Sequence, residues 1–389
     1  MQIKYVPNQT IRVVILTTSF PLGRESVSGV FVKRLVENLP ATVRAVVITP
    51  AGTVPVFFSS DYELHCFRYA PWKYQLLAHQ PGGIPVALKQ LKALRWILPA
   101  FLGAMFVACF QAARKSDIIH ANWSVNGAIA GLVGFLLRKP VITTLRGEDV
   151  TRAQNSKVYR YILAWCIRSN FKLLTVSEAI YSLLLKEFPG CGDKIYFLPN
   201  GVDPKLLNNR VVENKSINIG IFNLLAIGSL ITRKGVETII EALSRLYAPQ
   251  NYRLSVVGDG PELNNLKELA KQKSLSQFVD FIGQVPPNQI ASYFHNADAF
   301  ILASHSEGRP NVVLESFAAG VPVIASDIDG VRELLKENEN GMTFPPGNAS
   351  ELAIKIEELQ QDKNLQELFS KRGKEFIIKN NLLDRKSVV

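Results

Sequence analysis

The sequence predicts an α/β protein built from two consecutive doubly wound domains. Three observations carry this. Short apolar, β-branched runs alternate with helical patterns along most of the chain, the signature of parallel sheets covered on both faces. The series pauses once, at the polar, patternless residues 203–218, and then begins again. The 389 residues suit two domains of ordinary size. The expected domains are 1–205 and 206–364, followed by a last helix within 365–389.

The elements follow in order. A strand is expected at 12–17 (RVVILT), a helix at 31–39 and a strand at 43–49. Further strand runs fall at 117–120, 141–145, 173–176 and 195–198, with helical segments between them. The second series has strands at 222–228, 253–257, 279–282, 299–302, 321–325 and 342–344. Its helices fall near 235–246, 261–270, 310–319 and 349–360. Ligands of such folds bind beyond the carboxyl ends of the strands, so a site shared across a cleft between the domains is expected.

The composition, 47% hydrophobic and 20% charged, excludes wholesale disorder and a collagen-like fibre. The net charge of +11 is unevenly placed. Residues 1–205 hold 24 basic against 11 acidic side chains, and residues 206–389 hold 20 against 22. An anionic partner is therefore expected on the first half: a membrane surface, a phosphorylated substrate or nucleic acid. No nucleic-acid motif accompanies the charge, which disfavours the last. Cys66, Cys109, Cys166 and Cys191 form no CxxC, so neither a zinc site nor a disulfide framework is expected, and a reducing compartment such as the cytoplasm fits. The N-terminus shows no signal-peptide core. The most apolar stretch, 96–110, has fifteen uncharged residues and contains Pro99. It falls short of the roughly 20 residues a bilayer span needs, so no transmembrane helix is expected.

The strongest chemical signal is Glu307-Gly-Arg-Pro-Asn-Val-Val-Leu-Glu315, between a strand and a helix. Pro310 suits the first turn, where its missing N–H costs nothing. The N–H groups of Asn311, Val312 and Val313 then point out of the helix start. With Arg309 beside them they form an anion site suited to a diphosphate. Glu307 and Glu315 can accept hydrogen bonds from vicinal hydroxyls, as on a ribose or a hexose. On spacing alone, a merely solvated loop Glu307 and a helix-face Glu315 stand as an equal reading beside the binding one. Gly258-Asp259-Gly260-Pro261 follows a strand and opens a helix, but lacks the third glycine of a dinucleotide fingerprint.

The stretch SEGRPNVVLESFAAGVPVIASDIDGVRELL resembles the E-x7-E region of glycosyltransferase family 4. LLAIGSLITRKGVETIIEAL, VVGDGPE, FIGQV, FLPNGVD and ENGMTF follow the family's order, as do SFPLGRESVSGVFVKRL, HANWSVNGAIAGL, TTLRGEDV and TVSEAI in the first half. The ordered landmarks extend over about 330 residues, and their order is what makes the resemblance specific. It implies the GT-B fold: two Rossmann-like domains facing each other across a cleft, acceptor on the first and nucleotide-sugar on the second. It implies that the last helix packs back toward the first domain.

By resemblance, Glu315 binds the donor ribose, Glu307 the donor sugar, and Lys234 in Arg233-Lys234-Gly235 the diphosphate. A fixed cation there stabilises the developing charge of the leaving group. Gly29 is in the first strand–helix loop, where a glycine admits close approach of phosphate or sugar. Gly228, Arg233, Gly260, Gly308, Arg309, Pro310, Asn311 and Val312 complete the donor side. His120, Asn122 and Asp149 stand on the acceptor side, although for His120 a purely structural role is an equal reading. Two positions depart from the family pattern. Ser229 stands where a second diphosphate cation is usual, with Arg233 or Arg309 as possible substitutes. Arg146 stands where a histidine is usual. It cannot act as a base at neutral pH, but can bind a phosphate or sugar, and it is retained with Lys234 and Glu307 as a catalytic candidate.

No metal and no cofactor are expected. Asp327-Ile-Asp329 is read as a cap for the helix starting near Gly330 rather than a metal motif. The region 86–115 is apolar and edged by Lys89, Lys92, Arg95, Arg114 and Lys115. A buried core helix and a membrane-facing segment both fit it. The reading is a retaining glycosyltransferase using a UDP- or GDP-sugar and a glycan or lipid-linked acceptor, in cell-surface polysaccharide or glycolipid synthesis. It is expected in the cytoplasm, attached peripherally to the inner face of the plasma membrane. A sugar-nucleotide epimerase of the same fold, or a non-catalytic binder, are the alternatives; a nicotinamide oxidoreductase fits least, since no full GxGxxG follows either first strand.

Overall fold

The computed structural model describes residues 10–23, 26, 28–52, 62–79, 83–207 and 220–380. Val27, residues 208–218 of the polar stretch, and residues 381–389 lie outside them. The chain forms two compact units that divide after Pro199. The division falls ahead of the expected 205/206 boundary, and Val202, expected in the first domain, is buried in a core of the second unit.

The first unit runs β1 (Ile11–Leu16), α1 (Val30–Glu37), β2 (Val43–Pro50), β3 (Glu63–Phe67), α2 (Gly83–Gln90) and α3 (Leu98–Ala113). It continues with β4 (Ile118–Asn122), α4 (Ser124–Leu137), β5 (Val141–Leu145), α5 (Glu148–Asn155) and α6 (Lys157–Ser169). β6 (Lys172–Thr175), α7 (Glu178–Glu187) and β7 (Ile195–Phe197) complete it. The strands form one parallel sheet in the order β3-β2-β1-β4-β5-β6-β7. β1 shows why both faces are covered. Val14 and Leu16 join the core made with α3 and α4, whereas Val13 and Ile15 join the core made with α1. β3 was not foreseen. It is an edge strand whose Glu63 and His65 are exposed, so it has no continuous apolar run.

The stretch judged too short for a bilayer span is helical from Lys92 through Ala113. These 22 residues are long and apolar enough to cross one. Yet Phe101, Met105, Cys109 and Ala113 are at most 1% exposed within the first core. This helix therefore packs on the sheet, with its opposite side uncovered. Small residues bring the next helices close. A Cβ on Gly127 of α4 would lie 2.5 Å from the Cys166 Sγ of α6, and one on Gly131 would lie 2.0 Å from the Ser169 Oγ.

The second unit runs β8 (Phe222–Ile227), α8 (Val236–Leu243), β9 (Tyr252–Val257), α9 (Leu263–Gln272) and β10 (Val279–Gly283). Then come α10 (Ile290–Asn296), β11 (Ala299–Leu302), α11 (Asn311–Ala319), β12 (Val323–Ser326), α12 (Asp329–Arg332) and β13 (Met342–Phe344). α13 (Ala349–Gln361) and α14 (Lys363–Lys379) close the unit. Its parallel sheet has the order β10-β9-β8-β11-β12-β13. The last helix, expected to return toward the first domain, has its buried residues in the second. Phe369 and Ile377 belong to the second unit's cores, and Phe376 meets Phe317 of α11 edge-on at 5.7 Å.

Candidate active site

In the second unit the site is assembled from loops at the carboxyl ends of β8, β9 and β11. Gly228 to Gly235 connect β8 to α8, and hydrogen bonds tie this loop to both neighbours. The Leu230 N–H donates to the Asp259 carbonyl (2.9 Å), and the Glu262 N–H to the Leu230 carbonyl (3.0 Å). The His305 N–H donates to the Arg233 carbonyl (2.9 Å), and Arg233 Nη1 to the Ser306 carbonyl (3.3 Å). The contacts are so close that a Cβ on Gly258 would lie 1.9 Å from the Gly228 carbonyl oxygen, and one on Gly260 2.3 Å from that of Leu230.

This framework brings Lys234 and Glu307 together. Lys234 Nζ is 2.5 Å from Glu307 Oε1, which also accepts from Ser304 Oγ at 2.8 Å. The two side chains are 19% and 10% exposed. The Lys234 stem lies over Gly228, 3.6 Å from where a Cβ would stand. Burial pushes the Glu307 carboxyl up, but the Lys234 and Arg233 charges, with the hydrogen bonds from Lys234 and Ser304, outweigh it. The carboxyl is held below its ordinary range. Lys234 and Glu307 thus form an ionised pair at neutral pH.

Glu307 leads into α11. Pro310 is the residue capping this helix rather than its first residue, and its carbonyl accepts from the Val313 N–H (3.2 Å). Of the three N–H groups expected at the helix start, Val313 is therefore engaged. Those of Asn311 and Val312 have no partner within the helix. The Asn311 Oδ1 accepts from Asn200 Nδ2 at 2.8 Å. Arg309 is not presented beside this helix end. Its side chain is 5% exposed and turned to Glu333, Nε to Oε2 3.7 Å, because buried cations require a counter-charge. Gly308 and Glu307 rest their carbonyls on Gly330, where a Cβ would come within 2.7 and 2.4 Å of them. Glu315 is partly exposed, two turns along from Glu307. Asp327 and Asp329 do not cap α12 through their side chains. Both bind Arg332, at 2.6 and 3.1 Å. Among the described residues no group of three His, Cys, Asp or Glu could hold a metal.

In the first unit, Gly29 caps α1 with φ 72°, and a Cβ there would lie 2.1 Å from the Ser19 carbonyl oxygen. The acceptor-side candidates gather at the ends of β4 and β5. Asn122 is fully buried, and its Oδ1 accepts from Arg146 Nη2 (2.7 Å) and Nε (3.2 Å). The Arg146 guanidinium sits 4.3 Å over the Phe31 ring, whose edge meets Trp123. Burial lowers the Arg146 pKa to about 10, against the pull of Asp149, so it remains a cation. Asp149 ties two loops together, accepting from the Ser124 and Gly147 N–H groups at 3.0 Å each. Burial raises its pKa and these bonds oppose the rise. His120 Nε2 pairs with Thr144 Oγ1 at 2.8 Å.

The sequence reading missed Phe31 and Glu333. Trp123 has φ 69°, unusual for a bulky residue, and joins β4 to α4. The Asn122 Nδ2 and Ser124 Oγ beside it are buried with no hydrogen-bond partner among the described residues.

His120 gives a pH signature. Burial, helped by the Arg146 charge, lowers its pKa to about 4, against about 6.5 when unfolded. Between those values the unfolded chain binds a proton that the folded chain refuses. Stability is therefore expected to fall as pH drops from about 6.5 to about 4. Asp149, whose pKa is raised, works in the opposite sense at the acid end. Denaturant titrations across this range check it: His120→Gln is expected to flatten the slope, and an unchanged slope assigns it to another group.

Two family models match the chain: "Glycosyltransferase Family 4" over residues 28–206 and "Glycosyl transferases group 1" over residues 214–376. An uncharacterised glycosyltransferase of Methanocaldococcus jannaschii is 26% identical over 291 residues, 74% of this chain and 77% of that one. The putative teichuronic acid biosynthesis glycosyltransferase TuaC of Bacillus subtilis is 26% identical over 371 residues, 91% of this chain and 90% of its own. Among solved structures, HepE of Anabaena, in complex with UDP and glucose, superposes with a TM-score of 0.75 at 19% identity, covering 96% of both chains. The two family matches span both units and follow the order of the landmarks, and the chain therefore belongs to glycosyltransferase family 4 and is a glycosyltransferase of the GT-B fold.

Proposed function

We propose that the second unit binds a nucleoside-diphosphate sugar and that the enzyme transfers the sugar, with retained configuration, to a glycan or lipid-linked acceptor in cell-surface polysaccharide or glycolipid synthesis. The observation that carries the donor assignment is the Lys234–Glu307 pair seated directly before the N-terminal end of α11. It sets a cation, a sugar-hydroxyl acceptor and helix N–H groups in one place, the three elements that a sugar diphosphate requires. UDP in the HepE structure supports a uridine donor, and GDP is the other nucleotide to test.

In the proposed reaction the acceptor hydroxyl oxygen bonds to the anomeric carbon on the face from which the diphosphate departs. The bond from that carbon to the diphosphate oxygen breaks, and a phosphate oxygen takes the hydroxyl proton. Lys234 stabilises the charge on the leaving group, and no side-chain nucleophile is required. Glu307, held ionised, orients the sugar by accepting from its hydroxyls. We propose the cytoplasm as the compartment of the reaction, which the four free cysteines support.

Melting curves with UDP, GDP and ADP test the donor site. A ligand at about 100 times its dissociation constant adds roughly 2.7 kcal/mol of stability. One nucleotide is expected to raise the melting temperature, and Glu315→Ala to abolish that rise. No shift from any nucleotide at saturating concentration overturns the assignment. Turnover of the responding sugar nucleotide then separates the alternatives: an epimerase consumes it without acceptor, and a binding protein never consumes it.

A further inference from the structure

We infer that the layer of helices α3, α4 and α6 in the first unit is a docking face for an anionic lipid bilayer. This goes beyond the donor reading and does not depend on it. The sequence pointed for a membrane contact only to the segment 86–115. The structure adds α4 and α6, which the sequence had not marked for that role.

α3 packs beside α4, and α4 beside α6, all on one side of the sheet. Their outer surfaces carry large apolar side chains in water. Trp96, just before α3, is 89% exposed; Phe135 of α4 is 77% and Tyr161 of α6 is 75% exposed. Leu136, Val158 and Trp165 are also exposed. Trp165 is fixed by its indole N–H, which donates to the Ala128 carbonyl of α4 at 3.1 Å. Large apolar side chains exposed on three adjacent helices of a folded chain mark an interaction surface.

The charges say what covers it. α3, α4 and α6, and the helical turns over 92–97 that precede α3, contain no acidic residue. The edges are basic: Lys92 and Arg95 before α3, Arg114 and Lys115 after it, Arg138 after α4, Lys157 and Arg168 on α6. Neighbouring acids are engaged: the Asp117 carboxylate accepts from the Arg12 N–H, Glu148 of α5 binds Arg152, Asp149 is buried, and Glu187 of α7 binds Arg160 of α6. Aromatic residues within a basic rim match the boundary between headgroups and acyl chains. A second copy of the chain is disfavoured. A two-fold contact would press this face on itself, cation against cation, with no acid to compensate.

Flotation of the whole protein tests this. The vesicles are phosphatidylcholine alone, or phosphatidylcholine and phosphatidylglycerol in equal parts, at low and high salt. The wild type is expected to float with the anionic vesicles, with the tryptophan emission shifted to the blue, and to be released by salt. The triple variant Phe135→Ser, Leu136→Ser, Tyr161→Ser is expected to bind at least about tenfold more weakly. Its melting temperature and its nucleotide response should be retained. Should that variant fold poorly, Lys157→Glu with Arg168→Glu, which reverses charge at two exposed positions, is expected to cut binding to a similar degree. Wild-type protein that ignores anionic vesicles overturns the inference, as does equal flotation of the variants. So does a dimer in sedimentation that the triple variant dissociates, which makes a second copy the occupant. A failed nucleotide response with intact flotation counts against the donor reading alone.

Discussion

A Lys234→Ala enzyme is expected to lose about two to three orders of magnitude in kcat, the range seen when one preorganised group opposite a developing charge is removed. In the proposed reaction charge builds on the diphosphate as the sugar leaves, and in the second unit Lys234 is drawn against Glu307 before the start of α11. The same substitution leaves the Glu307 carboxylate, only 10% exposed, with Ser304 and the more distant Arg233 charge. Its pKa is then expected to rise, so the variant's residual activity should depend on pH in a range where the wild type is flat. Lys234→Arg restores charge but not shape, since a guanidinium is wider than an ammonium, and only part of the rate should return. Steady-state kinetics across pH, with melting curves to show that the fold persists, provide the check. A kcat within a few-fold of wild type would assign the leaving-group role to Arg233 instead.

Gly258→Ala is expected to produce the second large effect, on stability rather than chemistry. The residue has φ 142°, and a Cβ would stand 1.9 Å from the Gly228 carbonyl oxygen. That oxygen belongs to backbone and cannot rotate away. Either the loop from Gly228 moves or the end of β9 distorts, at about 3 kcal/mol. For a unit of this size, the melting temperature should fall by roughly 6–12 °C. Because the displaced loop carries Lys234, nucleotide affinity should fall with it. Gly283→Ala, a control at φ 79° with nothing within 4 Å of the added carbon, carries the strain of a left-handed backbone without the collision. A Gly258→Ala melt no lower than that of Gly283→Ala would show that the loop yields freely.

The parallel strands were legible because burial on both faces makes them continuous apolar runs. VITTL and AFIL lie where the pattern placed them. ELHCF was not, because an edge strand presents alternate charged positions to water. At the site, local order was legible and long-range pairing was not. The sequence juxtaposes Glu307 with a helix start, and that survives. Lys234 lies 73 residues earlier; the family resemblance set it and Glu307 on the donor, and their direct contact is seen only in the structure. Arg309 reads as a free cation because its neighbours in sequence are uncharged; its partner Glu333 arrives from the end of α12. Pro310 fitted two positions one residue apart, and the hydrogen bond from Val313 decides between them. The boundary moved to Pro199 because nothing local shows that Val202 is buried in a core of the second unit.

The interlocked loops after β8, β9 and β11 bear on how donor preference can be altered. Each loop supplies backbone partners or clearance for the next: Leu230 for Asp259 and Glu262, Arg233 for His305, and Gly235 for Ala303, whose carbonyl oxygen would lie 2.1 Å from a Cβ. Grafting the loop after β8 alone, from a relative with another sugar preference, would break registry with both other loops, and grafting either of those alone would break registry with the loop after β8. The three segments form one inheritable cassette, and chimeras that exchange 228–235, 258–262 and 303–315 together should fold where piecemeal transplants fail.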